Sequence, residues 1–311
     1  MTMHHSQRST ARNSQRSTAR NFVRRGLGLM AMLGLLVATT HSAKTDEATV
    51  DVSKEFLSTE ESIKEAAQRG SPIAVWETLE HGERVECLNC ISYVEPLLYD
   101  ADARVREIAA WWLRRRVFGY AEVAHRVHET IAKDADPVRR AAAANAIGEF
   151  LDPMATPLLI PAAADTSPLV RKAAIAGIQR LNDSEAAPAV AKALSDGDVS
   201  VRRVALEAAI HLSGFSDTTA VAKLISDPDT VVRSKACDAL GVFKLKGSVA
   251  GLAALAKTDG DEDVRIAAAN AIGEIGDASG RATVEAIANA DLSSRVRDAA
   301  RIAALKLATA L

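Results

Sequence analysis

The stretch DEDVRIAAANAIGEIGD, Asp261 to Asp277, decides the fold, because its Val264-Arg265 pair recurs along the chain. Val-Arg stands at Val105-Arg106, Val138-Arg139, Val170-Arg171, Val201-Arg202, Val232-Arg233, Val264-Arg265 and Val296-Arg297, always 31 to 33 residues apart. Four residues after each valine stands an alanine: Ala109, Ala142, Ala174, Ala205, Ala236, Ala268 and Ala300. An aspartate precedes the valine by three in four units, Asp102, Asp198, Asp229 and Asp261, at the N-cap position of a helix. Between these helices lies a second helical pattern, as in AVAKALSD and SVAGLAALAKTD. Each unit therefore reads as a helix pair of about 32 residues.

One such pair cannot bury its apolar stripe alone, so the units must stack around a continuous core. The spacing predicts an all-α solenoid of seven two-helix repeats over residues 84–311. The alanines let neighbouring helices approach closely. Arg106, Arg139, Arg171, Arg202, Arg233, Arg265 and Arg297 are expected to form a structural ladder, bonding to aspartates or carbonyls of the adjoining unit. Helices predicted at about 58–69 and 72–81 would make residues 44–83 an N-terminal segment and cap.

DEDVRIAAANAIGEIGD and DPDTVVRSKACDALG (Asp227 to Gly241) resemble the short HEAT-like repeats named after phycobilisome lyases. The resemblance extends from about residue 84 to 311. Repeat 2 departs from it: VRRAAAANAIG has one residue more than VRIAAANAIG, which predicts a bulge or a shifted helix start there. The resemblance implies a solenoid whose second helices line a concave face. It implies a wide range of activities, since the family holds chromophore lyases, deoxyhypusine hydroxylases and binding scaffolds. The hydroxylases hold two irons on His-Glu pairs repeated across several units, whereas this chain has one, His128-Glu129. A chromophore lyase requires a bilin-bearing partner, which an exported protein is not expected to meet.

Export is the reading of the first 43 residues. Six arginines and no acidic residue precede the apolar run LGLMAMLGLLVATT, Leu27 to Thr40. That run is too short to span a bilayer and is followed by the small residues Ser42 and Ala43, the pattern of a cleaved signal peptide with a mature start near Lys44. Arg24-Arg25 fits the twin-arginine pattern only loosely, which favours the general secretory route. Removing this leader leaves 32 basic side chains against 40 acidic ones. An acidic chain gains nothing from counterion release, so nucleic acid is not an expected partner. The expected partner is another protein of the envelope or periplasm.

Two features mark the N-terminal end of the array. Eight of the eleven aromatic residues after the leader lie between Phe56 and Tyr120. By repeat register Trp112 replaces Ala208, Ala239 and Ala271 and is expected to be buried, while Trp111 replaces Glu207, Asp238 and Asn270 and is expected to face outward. Trp111 with Arg114, Arg115, Arg116 and Tyr120 forms a candidate partner-binding set, because Trp, Tyr and Arg dominate interface anchors. The same rings also suit closure of the solenoid's open end, which is the preferred reading and is compatible with the other.

The other feature is CLNC, with Cys87 and Cys90 placed on a helix expected from about Val85 to Leu98. Ile91 stands where c-type haem attachment needs histidine, and no strand-turn-helix context supports a thioredoxin-like centre. His125 and His128 are offset along the solenoid so that one imidazole at most could meet one thiol, against the four ligands of structural zinc. A disulfide suits the i, i+3 spacing and an oxidising compartment, and is preferred. A redox or cofactor accessory role built on the pair is the alternative. Cys237, four repeats away, is expected as a buried free thiol. No catalytic residue, metal or cofactor is expected.

Overall fold

The computed structural model describes residues 58–309. The proposed signal peptide, its cleavage site near Lys44 and residues 44–57 lie outside that range. The described residues form sixteen α-helices and no strand. The N-terminal pair is α1 (Glu60–Arg69) and α2 (Pro72–His81). Units 1 to 4 are α3 (Leu88–Val94) with α4 (Ala103–Leu113), α5 (Tyr120–Lys133) with α6 (Pro137–Phe150), α7 (Thr156–Ala162) with α8 (Pro168–Leu181), and α9 (Ala187–Ala193) with α10 (Val199–His211). Units 5 to 7 are α11 (Thr218–Lys223) with α12 (Thr230–Val242), α13 (Val249–Thr258) with α14 (Glu262–Ile275), and α15 (Arg281–Ala290) with α16 (Ser294–Thr309).

Local chemistry sets these boundaries. Asp102, Asp198, Asp229 and Asp261 cap the second helices as expected, each carboxylate accepting a first-turn N–H. Asp136 does the same in unit 2. Thr59 and Ser71 cap the N-terminal pair, with Pro72 pre-set for a first helical turn. Helix α3 starts three residues later than expected, since Cys87 is its N-cap, and Pro96 lies in the 3-10 turn Glu95–Tyr99 that finishes it.

The second helices stack in one row, α2 on α4, α4 on α6 and so on to α16. The N-terminal pair thus continues the array as an eighth layer. Small residues set the spacing. A Cβ on Gly148 would stand 2.7 Å from Gly177 Cα, and one on Gly273 would stand 2.8 Å from Ala303 Cα. Only glycine permits backbones to meet so closely, and the core runs unbroken from Ile63 to Leu307.

Unit 2 is the register exception. The repeat valines of the other six units are buried, but Val138 is 60% exposed. One extra residue turns the helix by about 100° per residue, so Arg139 takes the valine's place and Ala143, fully buried, takes that expected for Ala142. The alanine position is otherwise as expected.

The outward face of α16 mixes polar and apolar residues, with Ile302 and Leu305 51% and 68% exposed. Where inner units present Ala144, Ile175, Leu206, Cys237 and Ala269, all buried, α16 presents Arg301, paired with Asp298 at 2.7 Å. Leu305 fills the position that Gly148, Gly241 and Gly273 keep open for a following helix.

Candidate functional site

Four of the seven expected arginines, Arg171, Arg202, Arg233 and Arg265, form a ladder with regular acceptors, whereas Arg106 and Arg297 bond only to carbonyls of their own unit. Arg171 places Nε 2.6 Å from Asp196 Oδ2 and Nη2 2.7 Å from Asp196 Oδ1 in the next unit. Its Nη1 donates to the Asp165 carbonyl at 2.9 Å in its own unit. Arg202 repeats this on Asp227, Arg233 on Asp259 and Arg265 on Asp291. Each acceptor aspartate also receives an N–H from two residues on, as Asp196 does from Asp198 at 2.8 Å. The fork draws the carboxyls of Asp165 and Asp196 below the usual aspartate range. Unit 2 corrects the expectation: the ladder residue is Arg140, bound to Asp165 at 2.9 Å through both Nε and Nη2. Arg139 instead lies 4.3 Å over the Tyr99 ring and pairs with Asp134 at 2.8 Å.

The signal for these acceptors is present in the chain. An aspartate stands six residues before the ladder arginine in every unit: Asp100, Asp134, Asp165, Asp196, Asp227, Asp259 and Asp291. Registering on Val-Arg hides it, because unit 2 breaks that dipeptide's register but not the Asp-to-Arg spacing.

At the N-terminal end the aromatic and basic residues form a clamp. Trp112 is fully buried and its Nε1–H donates to the Gly82 carbonyl at 3.0 Å. Arg116, only 3% exposed, lies 4.1 Å over the Trp112 ring and donates to the carbonyls of Val85, Glu83 and Trp112. Arg115 binds the Glu83 carboxylate at 2.9 Å and covers the Trp111 ring at 3.9 Å. These groups converge on the loop Gly82–Cys87 joining the N-terminal pair to unit 1. Cys87 and Cys90, both buried, are joined by a disulfide where that loop enters α3, with Cα atoms 5.2 Å apart.

This geometry revises the candidate binding set. Arg116 is buried and its donors are occupied, which removes it from any partner surface. Arg114 donates to the Glu149 carbonyl at 2.7 Å. Trp111 is half-buried beneath Arg115. Tyr120 packs edge-on against Phe150 at 5.4 Å, and burial together with the nearby Asp152 charge pushes its hydroxyl up to about 12. The exposed apolar residues of the segment are Val117 at 78% and Phe118 at 64%. They precede Gly119, whose φ of 90° suits glycine and whose absent Cβ leaves room for Ile91. Leu88, 58% exposed, has its Cδ2 3.9 Å from that Cβ position, so it borders the same loop. Reading the rings by repeat position ranked Trp111 first and overlooked this loop tip.

His125 is exposed, and burial holds half-buried His128 below the usual imidazole range against the pull of Asp152. Both N-terminal thiols are in the disulfide, so neither offers a thiolate to these histidines. Cys237 is fully buried, and burial pushes its thiol up to about 12.

The family model for HEAT repeats matches residues 125–210 and 218–306. The chain belongs to the HEAT-repeat family. No curated protein matches it. Among solved structures, this HEAT-repeat chain is similar to the E. coli protein YibA at 17% identity and a TM-score of 0.58, over 80% of this chain and 92% of that one. It is similar to Kap95p, solved in a study of its binding to RanGDP, at 13% identity and a TM-score of 0.57, over 80% of this chain and 38% of Kap95p. A phycocyanin lyase complex of CpcE and CpcF from Nostoc is similar at 22% identity and a TM-score of 0.40, over 71% and 94%. Identities this low show the fold alone. No helix among the described residues is long and apolar enough to cross a membrane.

Proposed function

We propose that this HEAT-repeat protein is an exported, non-catalytic scaffold that binds another protein of the cell envelope, with unit 1 as its principal contact. The observation that carries the reading is the exposed edge of Leu88, Val117 and Phe118. Three large apolar side chains on one rim are a feature of interaction surfaces, and a clamped, disulfide-bonded support holds them in place. Stacked repeats supply the extended face on which such partners lie. The basic leader and its apolar run support export.

The alternative, a redox or cofactor accessory protein using Cys87 and Cys90, has the CLNC spacing in its favour. Burial of both sulfurs opposes it, because exchange needs an accessible thiolate or disulfide. Mass spectrometry of the protein from envelope fractions, with thiol trapping before and after reduction, separates the two. A mature chain starting near Lys44 with no trapped thiol at Cys87 or Cys90 before reduction supports the scaffold. A chain retaining Met1, or a pair that cycles between thiol and disulfide, overturns it.

A further inference from the structure

The ladder shows what its arginine fork binds, and one fork inside the array is unfilled. At five successive junctions Nε and Nη2 hold the aspartate of the next unit, while Nη1 holds carbonyls of the fork's own unit. Arg106 keeps the second half of this arrangement, with Nη1 2.6 Å from the Asp100 carbonyl and 2.9 Å from that of Ala101. Its Nε and Nη2 meet no acceptor among the described residues. Asp134, the aspartate at the matching sequence position, has turned to Arg139 of its own unit. The register shift in α6 is the cause, because it put an arginine where the other units have a buried valine.

An open cleft of about 140 Å³ lies between α4 and α6 at this junction. Arg106 lines it together with the apolar Leu98, Ala103 and Ala142 and the polar Asn145. Glu149 and Arg180, paired at 2.8 Å, line it as well. The exposed Glu107 also lines it, which disfavours an anion without further contacts and favours one presented on a chain that also contacts Ala103 and Asn145.

We infer that Arg106 is a recognition site for a carboxylate side chain of the partner, an aspartate or glutamate in an exposed turn that replaces the aspartate of the missing rung. This site rests on the reading of the protein as a scaffold and gives that reading its chemistry. The bound carboxylate would meet two parallel N–H donors, the geometry that makes arginine–carboxylate pairs directional.

The probe is a blocked peptide with the chain's own acceptor turn, AAADTSPL, copied from Ala162 to Leu169. It is titrated into the full chain while the arginine Nε–Hε resonances are followed by NMR, with Arg106 assigned from its loss in R106K. The Arg106 resonance is expected to shift saturably while those of Arg140, Arg171, Arg202, Arg233 and Arg265 stay fixed. Replacing the peptide's aspartate by asparagine is expected to weaken binding at least about tenfold. No shift, equal shifts with both peptides, or an Arg106 resonance already at the carboxylate-bound position before peptide is added overturns the site. The scaffold reading is scored separately, by whether Phe118 still contacts another protein in R106K.

Discussion

Arg171 and Asp196 stand 25 residues apart in sequence and meet through two parallel hydrogen bonds of 2.6 and 2.7 Å, with both side chains largely buried. The pair joins consecutive units, and the aspartate also fixes the turn that starts its own second helix. Deleting one partner leaves the other charge buried and uncompensated. D196N is therefore expected to lose about 3 kcal/mol of unfolding free energy near neutral pH, measured by urea denaturation.

The same pair gives the array an acid limit. The arginine fork holds Asp165 and Asp196 below the usual aspartate range. Groups with depressed folded-state pKa values contribute stability above their unfolded value, about 3.9, and lose it as pH falls through the folded one. The gap between wild type and D196N should stay constant above about pH 5 and close below about pH 4. A gap that widened on acidification would contradict the assignment.

Unit 2 separates the two adjacent arginines. Arg140 is in a buried rung, whereas Arg139 is about half-exposed over Tyr99. R140A is expected to destabilise the chain clearly more than R139A, which should cost about 1 kcal/mol or less, by the same denaturation. Equal losses would return the ladder to the Val-Arg register.

Close backbone contact between layers gives a further check. A Cβ on Gly273 would press into the Ala303 backbone, which has no flexible end to move aside. G273V is expected to lower unfolding free energy by about 2 kcal/mol or more, whereas G260V, where nothing lies within 4 Å of the added Cβ, should cost less than about 1 kcal/mol.

The clamp predicts where the array opens first when it is cut. W112F removes the donor to Gly82 while keeping most of the ring. Hydrogen exchange is expected to rise by about tenfold across α1 and α2, with α8 to α14 unchanged, for loss of one buried hydrogen bond. Uniform acceleration along the whole chain would show that the N-terminal pair is not a separately held layer.

Helix existence and pairing were legible in the sequence because they rest on local signals. Caps at the repeated aspartates place the second helices' starts within a few residues, and the 32-residue recurrence gives the stack. The register of unit 2 was half legible: the extra residue in VRRAAAANAIG marks the place and the six-residue spacing from Asp134 points to Arg140, but the Val-Arg register points to Arg139. The clamp was less so. Nothing in AWWLRRRVFGY shows that Arg115 will fold over Trp111 or that Arg116 will be buried under three carbonyls, since both depend on the loop Gly82–Cys87 reaching them from another helix pair. Exposure at Val117 and Phe118 follows from those same tertiary contacts.

The most direct test of the proposed scaffold function is site-specific photocrosslinking in cells, with the photoreactive residue at Phe118 and, as control, at exposed Lys192 on the first helix of unit 4. A discrete adduct between Phe118 and a different polypeptide of the envelope, absent from the Lys192 variant, is the expected result. No adduct at Phe118, adducts only with a second copy of the chain, or the same adducts from both positions would contradict it.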